Sequence, residues 1–272
     1  MADTEALAGR ILGAIDAARQ IPPITDTDPG FDLAEAYAVQ SAITRRRVAR
    51  GERRVGWKIG FTNRTIWDEY GVYAPIWGPV YDTTTREVPL GEPIRCDLRG
   101  TTEPRLEPEI VFRVARTPSP SAEGANLLAC IDGIAHGFEI VQSLYPNWKF
   151  KAADTVASCA LHARLYHPPF AHVADALSRA RLPHLAEFEI SLFRDGTLVD
   201  RGEGRNVLDG PLSALARFIA ELDRISGERL KPGDVVTTGT VTRAFPVKAG
   251  ETWSTTVDGM NLSGLTILFD QT

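Results

Sequence analysis

Glu107-Pro108-Glu109 places two carboxylates two residues apart within an otherwise apolar stretch, Leu106 to Phe112. Read as a strand, side chains alternate in direction, so Glu107 and Glu109 share one face and Leu106, Ile110 and Phe112 the other. Like charges at that spacing repel unless a cation lies between them. No Lys or Arg does, because the intervening residue is Pro108. Proline cannot donate to a strand ladder, which predicts an edge strand or the mouth of a sheet. The plain reading is a solvated edge kept soluble by charge. The chemical reading is a hard-cation site with oxygen ligands, for magnesium or manganese. Glu139 offers a third carboxylate. It stands alone in Gly137-Phe138-Glu139-Ile140-Val141, where a buried acid needs a cation or a hydrogen-bond donor.

Lys58 is the matching base. Val55 to Phe61 reads as a short buried strand in which an ammonium is costly without a partner. Gly56 and Gly60 flank it and suggest close backbone approach, hence a pocket. The plainer alternative is a side chain that snorkels to the surface. Lys151 and Asp154, in Trp148 to Thr155, are near enough in sequence to meet at a helix start or to form a surface pair.

The elements that must carry these groups are legible in part. Residues 5–20 read as a helix stopped by Pro22-Pro23. A second helix starts at Asp32, where Glu35 completes a capping box, and runs to Gly51; its late arginines, Arg45, Arg46, Arg47 and Arg50, read as a solvated face. Residues 62–69 suggest a short helix, Ala74 to Pro79 a turn-rich loop, and Thr83 to Arg99 irregular chain. Ile131 to Ser143 and Glu187 to Phe193 read as strands, the latter followed by an Asp195-Gly196 hairpin turn. Residues 171–180 read as helical, and Pro211 to Gly227 brackets an apolar helical stripe. The tail supplies strands at 234–238, 252–257 and 262–269. Without βαβ alternation, a phosphate loop or repeats, the pattern is α+β with a largely β core. Residues 1–80 are expected to form an N-terminal helical portion with the strand of Lys58, and residues 81–272 a β-rich catalytic core.

Composition narrows the function. The chain has 272 residues, 43% of them hydrophobic, which suffices for a sizeable core. Its net charge of -5 argues against nucleic acid as a partner. No apolar run reaches the roughly 18 residues of a membrane span. The N-terminal residues have neither a basic head nor an apolar core, so no targeting peptide is expected. Three scattered cysteines without Cys-x-x-Cys argue against zinc and disulfides and for a reducing cytoplasm. The five histidines show no metal spacing, so each is expected to be structural.

Taken together, Glu107-Pro108-Glu109, Glu139 and Gly233-Asp234-Val235-Val236-Thr237-Thr238-Gly239-Thr240 resemble the fumarylacetoacetate hydrolase superfamily. Within it the chain is similar to the branch of 2-oxopent-4-enoate hydratases and 4-oxalocrotonate decarboxylases of aromatic meta-cleavage catabolism. The likeness runs from Phe31-Asp32-Leu33-Ala34-Glu35-Ala36-Tyr37 to the last strands. It implies a mixed β-sandwich or roll core with the N-terminal helical portion. It also implies a homo-oligomer and an Mg2+ or Mn2+ ion held at the positions of Glu107, Glu109 and Glu139. Lys58 matches the family's active-site lysine, and Thr240 a position near substrate oxygens. The implied substrate is a small 2-oxo acid that chelates the ion through its carboxylate and 2-oxygen, so that the ion stabilises a dienolate. Lys58 adds charge there or shuttles a proton, and Lys151 and Asp154 move protons along the carbon chain.

The branch markers diverge. Lys151 to Ala157 resembles the hydratases. Ile76, at a substrate-binding position where the hydratases place an acid, resembles the decarboxylases, as does Val241 to Val247. Ser158-Cys159-Ala160-Leu161-His162 departs from the Asp-Asn-Ala-Ser run of both. The expectation is a lyase, a hydratase of 2-hydroxy-2,4-dienoates, with 4-oxalocrotonate decarboxylase as the alternative. An acylpyruvate-type hydrolase or a non-catalytic subunit complexed with a partner pathway enzyme ranks behind both.

Overall fold

The computed structural model describes residues 3–64, 67–70, 73–177 and 185–271. The chain opens with helices α1 (Thr4–Asp16), α2 (Ile24–Thr27) and α3 (Leu33–Ala49). Next come β1 (Arg54–Gly60), α4 (Trp67–Tyr70), β2 (Ile76–Tyr81), β3 (Thr85–Glu87), β4 (Ile94–Cys96) and β5 (Arg105–Val114). The middle holds α5 (Gly124–Leu128), β6 (Ile131–Val141), α6 (Ala152–Ala157), β7 (His162–His167), β8 (Ala171–His172) and α7 (Val173–Ala176). The last third holds β9 (Glu189–Arg194), β10 (Thr197–Glu203), α8 (Pro211–Ser226), β11 (Val235–Thr240), β12 (Phe245–Pro246), β13 (Thr252–Asp258) and β14 (Thr266–Phe269).

The main sheet runs β2-β1-β11-β5-β6-β7-β3, with β12 on β5 and β8 on β6; a second sheet runs β10-β9-β13-β14-β4. Pairs β1/β11, β3/β7 and β4/β14 are parallel and the rest antiparallel, so both sheets are mixed. One face of the main sheet packs Trp57, Ile59, Ile110 and Phe112 against α8, whose Leu215, Phe218 and Leu222 form the expected stripe. Further along that face, Leu106, Phe138 and Ile140 meet Leu192, Trp253 and Ile267 of the second sheet. The other face curls inward. Val80 near one edge and Leu165 near the other share a cluster with Val111, Ala135 and Val235, so the sheet closes into a roll. Helices α1, α3 and α6 cover its open side around Ile76.

Local rules explain several elements. Asp32 and Glu35 form the reciprocal capping box on α3. Asp195 (φ 49) and Gly196 (φ 78) make the tight β9–β10 turn with both central residues left-handed. Several expectations change. Glu107-Pro108-Glu109 lies not at an edge but in the middle of the sheet, between β11 and β6. The proline is tolerated because its carbonyl, and hence its ring nitrogen, faces β11 where that strand is bulged; Val241 N–H donates to that carbonyl at 2.9 Å. Ala74 to Pro79 is no loop: Ile76 onward forms β2, an edge strand that tolerates Pro79. Its Gly78 leaves room for the chain crossing it, since a Cβ there would lie 2.3 Å from the Cys159 carbonyl oxygen. Thr83 to Arg99 contributes two short strands. The described part of 171–180 forms β8 and one turn, with residues 178–180 outside the described residues. Of 62–69, Trp67 onward is helical, and residues 65 and 66 lie outside the described residues. Arg47 is buried rather than solvated, 2.6 Å from Glu52. Among the described residues no helix is long and apolar enough to cross a membrane.

His136 ties the layers together. Its Nδ1 lies 3.1 Å from the Glu109 carbonyl oxygen on β5, and its Nε2 lies 2.8 Å from Thr255 Oγ1 on β13. Burial pushes its pKa down from 6.5 to about 4. The unfolded chain therefore binds a proton that the folded chain refuses, and stability falls as pH drops from 6.5 toward about 4. That loss amounts to about 3 kcal/mol. Urea midpoints across this range should fall more steeply for the native chain than for His136→Gln; equal slopes would contradict the linkage.

Candidate metal centre

Four neighbouring strands build the site. Lys58 on β1 aligns with Thr237 on β11, and Thr237 with Val111 on β5. Glu107 on β5 lies directly opposite Glu139 on β6, and Glu109 opposite Thr240 on β11. Aligned residues share a face, so the two odd-numbered acids of β5, Glu139 and Lys58 all point into the roll. One carboxylate oxygen from each of Glu107, Glu109 and Glu139 lies within 4.8 Å of the others. Glu109 and Glu139 are fully buried, whereas the Glu107 side chain is 14% exposed and marks the open side.

Lys58 Nζ lies 3.2 Å from Glu107 Oε2 and 3.1 Å from Glu139 Oε2. Burial works against its charge, but Glu107, Glu139 and Glu109 outweigh burial and raise its pKa, so it is an ammonium. Burial and the two neighbouring carboxylates push Glu109 well above the usual carboxylate range. Burial raises Glu107 too, against the pull of Lys58. For Glu139 burial is outweighed by Lys58 and His162, and its pKa falls.

Each buried acid has one oxygen tethered and one left over. The β11 bulge turns the Gly239 N–H onto Glu109 Oε2 at 2.8 Å, leaving Oε1 without a hydrogen-bond partner among the described residues. Gly239 has φ +100, and a Cβ on it would lie 2.0 Å from Thr62 Oγ1, so only glycine fits. His162 Nδ1 lies 2.7 Å from Glu139 Oε1, while Oε2 meets Lys58 Nζ without hydrogen-bond geometry. A buried, unpartnered carboxylate oxygen is costly. Glu109 Oε1, without a hydrogen-bond partner among the described residues, and Glu139 Oε2, held only by its ion pair with Lys58, converge with a third carboxylate and suit a hard divalent cation in donor type, charge and placement.

The other expected residues lie at varying removes. Ile76 is buried at the start of β2, and its side chain and the Lys58 stem both line Gly60. Thr240 is half-buried and its hydroxyl donates to the Thr242 carbonyl at 3.0 Å. Asp154 is fully buried but spends its carboxylate on the N–H groups of Ile24, Thr25 and Lys151 and on Thr25 Oγ1, at 2.7 to 3.1 Å. The Lys151 side chain is exposed. The sequence did not single out His162, expected to be structural, nor Thr237, whose buried hydroxyl has no partner among the described residues. His162 is 23 residues from Glu139, and only the β6–β7 register makes them neighbours.

A curled mixed sheet with a carboxylate trio and a buried lysine inside the roll defines a candidate divalent-cation centre. The chain belongs to the fumarylacetoacetate hydrolase family, whose C-terminal domain model matches residues 80–267. It is 32% identical over 258 residues to the 4-oxalocrotonate decarboxylase of Pseudomonas sp. (strain CF600), covering 94% of this chain and 93% of that one. It is 31% identical over 258 residues to the 2-keto-4-pentenoate hydratase of Burkholderia vietnamiensis, covering 93% of each. Its fold matches the 4-oxalocrotonate decarboxylase of Pseudomonas putida G7 complexed with magnesium and adipate, with TM-score 0.88, 28% identity and coverage of 98% and 97%.

The strained charge balance gives a test. Glu109 keeps its proton above the ordinary value of 4.5, so without metal its contribution to stability is lost as pH rises through the folded pKa. A cation replaces that proton, so stabilisation by Mn2+ should grow as pH rises through the folded pKa of Glu109. Glu109→Gln should raise the metal-free melting temperature and abolish the Mn2+ response; large unfolding with normal metal response would make Glu109 structural.

Proposed function

We propose that this chain is a divalent-metal-dependent lyase that hydrates 2-hydroxy-2,4-dienoate or 2-oxo-4-enoate substrates in aromatic catabolism. The observation that carries it is the convergence of one oxygen each from Glu107, Glu109 and Glu139 within 4.8 Å of one another beside the Lys58 ammonium, with Glu109 Oε1 lacking a hydrogen-bond partner among the described residues. Glu107, Glu109 and Glu139 hold Mg2+ or Mn2+. When bound, the ion supplies a Lewis acid at the carboxylate and 2-oxygen of a 2-oxo acid. Lys58 adds a fixed positive charge where the dienolate oxygen develops, and its raised pKa favours this electrostatic role over proton shuttling. Thr240, opposite Glu109 in the β5/β11 register, is the residue we assign to the substrate's oxygens. Roles for Lys151 and Asp154 in moving protons have no contact with the acid trio to support them, and the proposal keeps to Lys58 and the trio.

One observation favours decarboxylation as a second reading. Ile76, not an acid, flanks the Lys58 stem, and its side chain offers no proton relay for adding water. A substrate with a far carboxylate would then lose carbon dioxide into the same electron sink. The family's similarity to both activities fits either outcome. We also propose a homo-oligomer.

The enzyme with Mn2+ should consume 2-hydroxypenta-2,4-dienoate, seen as loss of its ultraviolet absorbance. Unchanged absorbance with carbon dioxide released from 2-oxo-3-hexenedioate would select decarboxylation; neither would reject the lyase. Lys58→Met should lower turnover by about 100-fold or more with manganese content unaltered. Undiminished turnover would exclude Lys58 from the chemistry.

A further inference from the structure

The two buried acids are tethered by different means. Backbone holds Glu109, through Gly239, whereas a side chain holds Glu139, through His162. The fold goes out of its way to deliver that side chain. Cys159, Ala160 and Leu161 immediately before it have φ of 58, 52 and 64, three consecutive left-handed residues with no glycine. Such strain persists only where the surroundings over-determine it. A β-bulge follows: Ile140 aligns with Arg164 but Val141 with His162, so Ala163 is the extra residue. Without it, alternation would turn residue 162 to the face opposite Glu139; the bulge re-aims it onto that acid. The imidazole is buried, and its Nε2 lies 2.9 Å from Thr84 Oγ1, which accepts the Tyr81 N–H at 3.2 Å. Thr84 Oγ1 also lies 3.1 Å from the Tyr81 carbonyl, to which it can donate, so the Tyr81 backbone fixes the hydroxyl that meets Nε2, while Nδ1–H donates to Glu139 Oε1.

We propose that His162, held by Thr84, is a positioning residue that fixes the Glu139 carboxylate for cation binding. It keeps Oε1 occupied, so that Oε2 alone turns toward Lys58 and the other two acids. Freed from it, the carboxylate can rotate and take the Lys58 ammonium with both oxygens, which removes a ligand from the ion. This inference rests on the trio's holding a divalent cation.

Mn2+ titration followed by the electron paramagnetic resonance of free Mn2+ tests it, with metal-free melting temperatures alongside. The native chain should bind Mn2+, and His162→Ala should raise Kd by about 10- to 100-fold. His162→Asn should restore most of the affinity, because its amide N–H takes the place of Nδ1–H; His162→Gln, whose amide reaches the Nε2 position, should not. Thr84→Val should weaken binding in the same direction. Native Kd in His162→Ala, or His162→Asn no better than His162→Gln, would overturn the proposal. So would losses of affinity that merely track losses of metal-free stability across the set. If His162→Ala does not fold, the Asn, Gln and Thr84 variants decide alone. A native chain that binds no Mn2+ would instead defeat the cation reading itself.

Discussion

Three carboxylates face a single ammonium inside the roll, which leaves two negative charges in excess when all are ionised. Water screens them little, because Glu109, Glu139 and Lys58 are buried. Metal-free, this repulsion and burial push the Glu109 carboxyl well above the usual carboxylate range. A divalent ion would relieve that repulsion without a proton and give Glu109 Oε1 a partner. Much of the surrounding structure is the apparatus that keeps three like charges close enough to share one ion.

That apparatus consists of interruptions in otherwise regular strands. The bulge in β11 releases the Gly239 N–H from the ladder and turns it on Glu109; the bulge in β7 turns His162 on Glu139. Between them the main sheet needs glycine at 78 and 239, where a side chain would collide with the Cys159 carbonyl and with Thr62. The apolar layers on the other face, around Phe112, Phe218 and Trp253, supply the rigidity that holds these departures in place. Asp154 belongs to the same framework: its four hydrogen bonds anchor the start of α2 to that of α6.

How much of this was legible in the sequence follows from the range of each interaction. The α3 capping box, the Asp195-Gly196 turn and the α8 stripe are set by residues within a few positions of one another, and they were readable. So was the shared face of Glu107 and Glu109, which strand alternation dictates. The central position of β5 was not, because Pro108 reads as an edge residue until the β11 bulge opposite it is known. Nor was β2, whose Gly78 and Pro79 imitate a loop but answer to the chain crossing it and to an edge. The pairing of Glu139 with His162, like that of Lys58 with Glu107, depends on strand register, which composition and local spacing do not encode.

The central claim is that the three acids share one divalent cation. Crystals soaked in manganese and measured for anomalous scattering test it most directly. The account predicts a single strong peak inside the roll, about 2 Å from one oxygen each of Glu107, Glu109 and Glu139. No peak there, with Lys58 still holding the acids at full manganese occupancy elsewhere, would contradict it.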